Sequence, residues 1–547
     1  MSSVPHRGRS GKNSVIALEL NRTGLRAERR GVQLETRAAA TPAPAERLPR
    51  TRAIAVAFIS LVAALGAGHL VAAFVGPSAS PFLAVGNWVR DISPHPVVEW
   101  AKDTFGTADK LVLFIGVTVV ILGLTALAGL LSRTRPVPGL IIAAVQGLLG
   151  FVAVLTRPDL GQLGIIAPAV SMVVGLLTFN WLHGRAWPVE QDHESRRRFL
   201  RASAGVVIGA GAAGVIGQLS GNRVDVEQSR AEIGRLVPAS PAPKLPPGAD
   251  FAGSGSARFI TSNRDFYRID TALTLPRVAA QDWRLRIHGL VDRTVEFTFA
   301  DIRDRSLIER PVTLTCVSNE VGGGLISNAN WIGVPLRDLL AEAGVKPGAD
   351  QLFSTSIDRF TAGTPVDAVL DPNRGAMLAI GMNGEPLPQE HGFPARMVVP
   401  GLYGYVSATK WVVDMELTTF KDRQAYWIPR GWSAKGPIKT SSRIDNPQDG
   451  TGLPKGRTTI AGTAWAQTIG IEKVEVRVDD DWHAARLSTE VDVNTWRMWR
   501  VTVDLKPGTH RIQVRATDRS GYTQTEAEAD PAPDGATGWH TIEVTVA

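Results

Sequence analysis

The chain has 547 residues, 44% of them hydrophobic and 20% charged, with a net charge of +7 and one cysteine. That hydrophobic content excludes a disordered chain, and a lone thiol excludes an internal disulfide framework. Many basic residues lie in the first 52 positions and in short loops between apolar segments, which is how membrane topology distributes charge, so nucleic acid is not expected as a partner.

Residues 1–52 read as a basic cytoplasmic tail. Apolar segments follow at 53–75, 111–131, 139–155, 164–182 and 199–219, each near the roughly 20 residues that cross a bilayer. The loops between them alternate in charge. The loop after the first segment mixes Arg90, Asp91, Glu99, Lys102 and Asp103; the next carries Arg133 and Arg135; then Arg157 is balanced by Asp159, and Arg185 precedes Arg196, Arg197 and Arg198. This pattern predicts a multi-pass cell-membrane protein with five transmembrane helices within 53–220, starting inside, with the soluble half extracytoplasmic, on the periplasmic side. Ser195-Arg196-Arg197-Arg198-Phe199-Leu200-Arg201, ahead of an Ala/Gly/Val run, resembles a twin-arginine export signal placed internally.

Gly209-Ala210-Gly211-Ala212-Ala213-Gly214 matches a dinucleotide-binding pattern but lies inside an apolar span with no strand before it, so that reading is rejected. Gly205 and Gly209 have instead the spacing that lets membrane helices approach closely. His69 and His183 share their spans with no second histidine, and no CxxCH occurs; both are expected to be structural, and no haem is predicted in this chain.

Residues 221–256 form a Pro/Ala/Gly-rich linker, read as an extended tether. Residues 257–445 mix β-rich runs at 283–287, 312–316, 396–399 and 411–417 with helix-like stretches at 299–303 and 335–342, an α+β pattern without regular βαβ alternation. From 446 to 547, short alternating segments at 458–462, 474–478, 499–505, 510–517 and 539–546 predict an antiparallel β-sandwich.

Cys316 ends an apolar, β-favouring run and precedes Gly322-Gly323-Gly324. As the one cysteine of the chain it has three available roles: nucleophile, soft metal ligand or intermolecular partner. His391 is the obvious candidate base, yet chain order does not establish contact, and one cysteine with scattered histidines gives no zinc set. A single thiolate suits a metal whose other ligands come from a cofactor.

Several separated motifs occur in order: Thr313-Leu314-Thr315-Cys316-Val317-Ser318-Asn319, Trp331-Ile332-Gly333-Val334-Pro335-Leu336, Met382-Asn383-Gly384-Glu385-Pro386-Leu387-Pro388, His391-Gly392-Phe393-Pro394-Ala395-Arg396, Val399-Pro400-Gly401-Leu402-Tyr403-Gly404 and Lys410-Trp411. Together they resemble the sulfite oxidase family of molybdenum enzymes, over about residues 257–445, and the last hundred residues resemble that family's immunoglobulin-like, often dimerising, C-terminal domain. The resemblance implies a molybdenum-molybdopterin cofactor with Cys316 as the protein thiolate on the metal. It places the pterin and its phosphate against Asn263, Tyr267, Arg268, Thr355, Ser356, His391, Arg396, Ser407, Ala408 and Lys410, which offer the cationic and hydrogen-bonding groups a phosphate and a pterin edge require. It implies oxygen-atom transfer on a small substrate, a separate electron-transfer partner, and a homodimer through the C-terminal domain.

Two departures bear on the substrate. Sulfite-oxidising members read Asn-Arg after the cysteine, whereas Asn319 is followed by Glu320, whose carboxylate repels an anion. The position of their active-site tyrosine is matched to Phe360, which lacks the hydroxyl; the neighbouring Arg359 is a candidate source of positive charge in the catalytic site. An S-oxide reductase resembling the periplasmic methionine sulfoxide reductase, fed by a membrane electron donor, is the alternative reading.

Overall fold

The computed structural model describes residues 47–547, apart from 77–78, 95–96, 98–99, 102–103, 106–107, 157–161, 188–192, 222–223 and 273–274. Residues 1–46 of the basic tail lie outside the described residues, and its last three residues already belong to the first helix. Among the described residues the long helices come first: α1 (Arg50–Val75), α2 (Pro81–Ile92), α3 (Asp109–Leu131), α4 (Val137–Leu155), α5 (Ile166–Ala186) and α6 (His193–Gly221). Five stretches, Arg50–Val75, Leu111–Leu131, Val137–Leu155, Leu163–Ala186 and Arg196–Leu219, are long and apolar enough to cross a membrane. Helix α2 was not expected. It is too short to span, begins at a proline suited to the first helical turn, and buries Ala84 against Ala153 and Val154 of α4.

The packing face of α6 differs from the expectation. A Cβ at Gly205 or Gly209 would meet nothing within 4 Å, whereas Ala210 and Gly217 lie against α1. There Gly66 sits on the Ala210 backbone, and a Cβ on Gly217 would come 3.0 Å from the His69 ring. The buried stripe of α6 runs through Phe199, Ser203, Ala210 and Gly217, a different face from that of Gly205 and Gly209. The Gly209–Gly214 pattern is interior helix, so its backbone N–H groups serve the helix and not a phosphate. His183 is buried, its Nε2 2.7 Å from the Ser132 carbonyl, with its ring beside Phe179 and Trp187.

The proline-rich segment is docked rather than free. It opens with α7 (Val226–Ile233), capped by the Asp225 side chain, and Ser229 Oγ accepts from the Ala280 N–H at 3.0 Å. Further on, Ala239 N–H donates to the Leu307 carbonyl at 2.8 Å and Glu309 N–H to that of Ser240 at 2.8 Å. Those bonds cover the edge of the strand that leads to Cys316, which would otherwise present unpaired backbone.

The α+β unit contains two sheets. β1 (Arg284–Gly289), β2 (Val295–Thr298), β5 (Gln351–Ser356), β6 (Thr361–Pro365) and β10 (Val412–Thr418) form one in the order β2-β1-β10-β5-β6, with β1 and β10 parallel. β3 (Ile308–Thr315), β4 (Ile326–Pro335), β7 (Met377–Met382) and β8 (Glu385–Pro386) form the other in that order, with β9 (Arg396–Val398) on β7. Short helices α8 (Phe299–Arg303), α9 (Leu336–Ala343), α10 (Val366–Leu370) and α11 (Gly404–Ser407) connect them. The shared core includes Trp283 and Trp331, whose indole N–H groups donate to the carbonyls of Val412 (2.8 Å) and Val312 (3.1 Å), so neither ring is buried at the cost of an unpaired donor.

The C-terminal unit is a sandwich of two sheets. β11 (Ser441–Asn446), β13 (Gly456–Trp465), β17 (Arg497–Leu505) and β16 (Arg486–Leu487) form one; β12 (Gly452–Leu453), β19 (His540–Val546), β18 (Gly508–Asp518), β14 (Ile471–Val478) and β15 (Asp481–Ala484) form the other. All pairs are antiparallel except β12 with β19. Inward residues such as Ile460, Val476, Trp499, Val514 and Val544 alternate with outward polar ones, as a sandwich core requires. It docks on the strand leading to Cys316: Trp496 N–H donates to Thr313 Oγ1 (2.8 Å), Gln467 Nε2 to the Thr313 carbonyl (3.0 Å), and Thr313 N–H to the Asn494 carbonyl (3.1 Å).

Trp499 is fully buried in the sandwich, and its indole N–H has no acceptor. Trp499→Ala is expected to cost about 3–5 kcal/mol of stability, and Trp499→Phe clearly less because it removes that orphan donor. Thermal unfolding of the purified chain checks this; equal losses in the two variants would contradict it.

Candidate active site

Cys316 is the first residue beyond β3 and is 9% exposed. Its N–H donates to the Leu325 carbonyl at 2.9 Å and its carbonyl accepts from Asn319 N–H at 3.1 Å, while Asn319 Oδ1 accepts from Leu325 N–H at 2.7 Å. These bonds close the root of the turn between β3 and β4 and fix where the thiol emerges. Two tyrosines stand within electrostatic reach of it. Burial raises both phenols well above their ordinary pKa, Tyr403 to about 12, and a thiolate at Cys316 adds to each shift.

Beside Tyr267 lies Arg396, 3% exposed, which has no carboxylate within ion-pair distance among the described residues. Its guanidinium is held by backbone carbonyls alone, those of His391 (3.1 Å), Ala408 (3.3 Å) and Met397 (3.4 Å), and lies 4.8 Å over the Trp331 ring. Burial lowers its pKa to about 10, still leaving a cation at neutral pH. Stacking on an aromatic face recovers part of the cost of that burial, and an anion would recover the rest.

His391 is 2% exposed, and its Nε2 faces the Asn263 carbonyl at 2.8 Å and so must donate. Burial lowers its pKa to about 4, leaving the ring neutral with the Nδ1 lone pair unused; Nδ1 is a buried atom with no partner. It is an acceptor awaiting an N–H donor. Lys410 donates to the Glu390 carbonyl at 2.8 Å and lies 3.4 Å from Asp270, which also pairs with Arg268 at 3.2 Å. Burial lowers the Lys410 pKa to about 8. Gly392, at φ +114, permits this juxtaposition, because a Cβ there would come 3.1 Å from the Cβ atoms of both Arg396 and Lys410.

The other expected residues fall into three groups. Asn263 spends its side chain on Asn383 (2.7 Å) and Glu385, so its link to the site is its backbone carbonyl on His391. The Ser407 hydroxyl is within 3.0 Å of the carbonyls of both Leu402 and Tyr403, and Ala408 contributes its carbonyl to Arg396. Thr355 is half-buried at the end of β5; Ser356 is buried and donates to Asp358, whose carboxyl burial pushes upward, and the next residue, Ile357, donates its N–H to the Trp411 carbonyl at 2.9 Å. Arg359 is exposed at a turn with φ 66, and no described contact joins it to Cys316. Phe360 packs beside Tyr426.

Two features escaped the sequence reading. Tyr403 lies within a motif that carries no signal of a role, yet its hydroxyl accepts from the Lys439 N–H and it reaches Cys316 electrostatically. Trp331 is likewise an ordinary core residue in the sequence, and only its packing reveals that it lies under the Arg396 cation.

The geometry fits a molybdopterin. One cysteine offers a thiolate for the metal, no group of three or more metal-ligating side chains occurs among the described residues, the buried Arg396 cation has no carboxylate beside it, Lys410 adds a second buried cation paired with Asp270, and a buried imidazole awaits a donor. A fold and site of this kind define a cofactor-dependent oxidoreductase. Residues 272–427 match the oxidoreductase molybdopterin binding domain, and 441–514 match a bacterial Ig domain. The chain is 29% identical over 322 residues to sulfite oxidase of Gallus gallus, covering 50% of this chain and 69% of that one. It is 28% identical over 318 residues to mitochondrial sulfite oxidase of Homo sapiens, covering 48% and 57%. With inducible nitrate reductase (NADH) 2 of Glycine max it shares 28% over 317 residues, covering 46% and 35%. The chain thus spans between about a third and about two thirds of these relatives' lengths. The sulfane dehydrogenase SoxCD from Paracoccus pantotrophus aligns with TM-score 0.46 and 25% identity over 58% of this chain and 90% of that one. The chain is thus a molybdopterin-dependent oxidoreductase similar to the sulfite oxidase family.

The low pKa of Lys410 gives a pH test. Below about 8 it is an ammonium, and as pH rises through that value its attraction for any anionic group bound there is lost. Reconstitution of cofactor-free protein is expected to weaken above pH 8, and Lys410→Arg, with a charge that does not titrate there, to flatten the profile. An identical slope in the variant would contradict the assignment.

Proposed function

We propose that this chain is a membrane-anchored enzyme whose extracytoplasmic domain transfers an oxygen atom to or from a small sulfur compound or other oxo-acceptor. The observation that carries this reading is the convergence of the Arg396 cation, Lys410 and the unpartnered His391 Nδ1, with Tyr267 in electrostatic reach of both Arg396 and the only cysteine. Cys316 holds the metal through its thiolate. Arg396 and Lys410 take the phosphate or other anionic edge, and His391 Nδ1 accepts from the pterin. Asn263, Arg268, Thr355, Ser356, Ser407 and Ala408 frame that cradle. The bound molybdenum pterin supplies two-electron oxygen-atom exchange with water, while the protein contributes placement and charge. Tyr267 and Tyr403, kept protonated by burial, stand within electrostatic reach of Cys316. Arg359 stands on the exposed rim, where it would act on an approaching anion and not on the reacting atoms.

Five apolar helices and the alternation of basic and balanced loops support a membrane anchor with the tail inside and the catalytic domain outside. Arg196, Arg197 and Arg198 at the start of α6 suit export through the twin-arginine route, and a separate redox partner takes or supplies the electrons.

A second reading, reduction of S-oxides, is favoured by Glu320, an exposed carboxylate on the turn that leaves Cys316. It disfavours sulfite and leaves a neutral sulfoxide unaffected. Turnover of the metal-loaded protein with sulfite, sulfoxides and N-oxides separates the readings. Glu320→Gln is expected to lower KM for sulfite about two- to fivefold at low salt and to leave sulfoxide unchanged. Sulfite turnover at ordinary rates in the wild type, indifferent to that substitution, would remove the case for the second reading.

A further inference from the structure

The turn between Cys316 and β4 is rooted in its own domain, but its tip is held by the other one. Gly322, at φ +78, lies so close to the His540 ring that a Cβ would overlap Cδ2 and Nε2. The ring is itself fixed, since Nδ1 accepts from Ile444 N–H at 2.9 Å, which puts the proton of the neutral imidazole on Nε2. Arg443 Nη1 donates to the Gly323 carbonyl at 2.7 Å and its Nε to Asp445 Oδ1 at 2.7 Å. Asp445 Oδ2 accepts in turn from Ala257 N–H at 3.0 Å, and the Arg443 and Asp445 side chains are only 12% and 10% exposed. A cavity of about 460 Å³ borders Gly322, Arg443, Asp445 and His540, so the tip has room to move once these contacts are removed.

We propose that His540 and Arg443 are positioning residues of the active site, through which the immunoglobulin-like domain sets the turn bearing Asn319 and Glu320 beside the Cys316 thiolate. The bonds at Cys316, Asn319 and Leu325 fix the root of the turn and leave its tilt free. Contacts at Gly322 and Gly323 remove that freedom. Because a charge acts inversely with distance, the tilt decides how strongly Glu320 is felt at the metal. The C-terminal domain is then part of the catalytic apparatus within one chain, whatever it does between chains. The proposal rests on Cys316 being the metal's protein ligand.

The test uses purified full-length holoprotein, its molybdenum content, its Mo(V) electron paramagnetic resonance after dithionite reduction, and deuterium exchange of residues 317–325. Arg443→Ala and His540→Ala are expected to keep their molybdenum, to exchange at 320–324 at least tenfold faster, and to shift the Mo(V) g values. Lys473→Ala, an exposed site on β14, is expected to move neither readout. Arg443→Lys, which can still reach the Gly323 carbonyl, is expected to recover most of the protection. Should an alanine variant fail to fold, Asp445→Asn, which loosens Arg443 without removing it, is read the same way. Wild-type exchange and spectra in metal-replete variants would overturn the positioning role alone; a wild-type protein without molybdenum would overturn the assignment beneath it.

Discussion

The site depends on one expensive arrangement, the burial of the Arg396 guanidinium with only carbonyls and an indole face around it. A buried cation lacking a counter-ion costs several kcal/mol. Much of the surrounding architecture serves to keep it in place. β9 holds the arginine against β7, Gly392 lets the preceding turn fold back onto Lys410, and Phe266 bridges Trp331 and His391 edge to face. Lys410 adds a second buried cation whose pKa Arg396 helps to lower, while Asp270 at 3.4 Å offsets part of its charge. Such a centre is stable as a receptor for an anionic group and costly as anything else.

The thiol is prepared by different means. β3 is an edge strand of its sheet, and its exposed backbone is covered by the proline-rich segment near Ile308 and by the C-terminal sandwich at Thr313. An edge so covered is rigid up to the residue before Cys316. From there the Asn319 side chain and the cross-domain contacts at Gly322 and Gly323 take over. Segments far apart in the chain therefore bear on β3 along its length, and the C-terminal sandwich also reaches the turn that follows Cys316.

How much of this was legible in the sequence follows from the range of the interactions. The runs at 312–316 and 411–417 were readable because β-favouring residues between turn signals are a local code, and β3 and β10 formed there. The apolar spans were readable for the same reason. α2 was not, because Arg90 and Asp91 fall within its last turn and made the segment look like an ordinary charged loop. The proline-rich segment has the composition of a tether, and what docks it is an open strand edge elsewhere in the chain. In α6 the two glycines with membrane-packing spacing face away because the helix presents a different stripe to α1, a matter of rotation that spacing alone does not set. In the site, Arg396, His391 and Lys410 were identifiable as residue types within motifs, but the missing counter-ion and the unused Nδ1 are facts about neighbours. Tyr403 and Trp331 carry no charge to draw attention, and His540 and Arg443 come from another domain.

The most direct test of the account is molybdenum K-edge X-ray absorption of the purified wild-type chain and of Cys316→Ser. The account predicts a molybdenum signal in both, with one fewer sulfur scatterer around the metal in the variant. A sulfur count unchanged by the substitution would show that Cys316 does not bind the metal and would contradict the assignment on which the site is built.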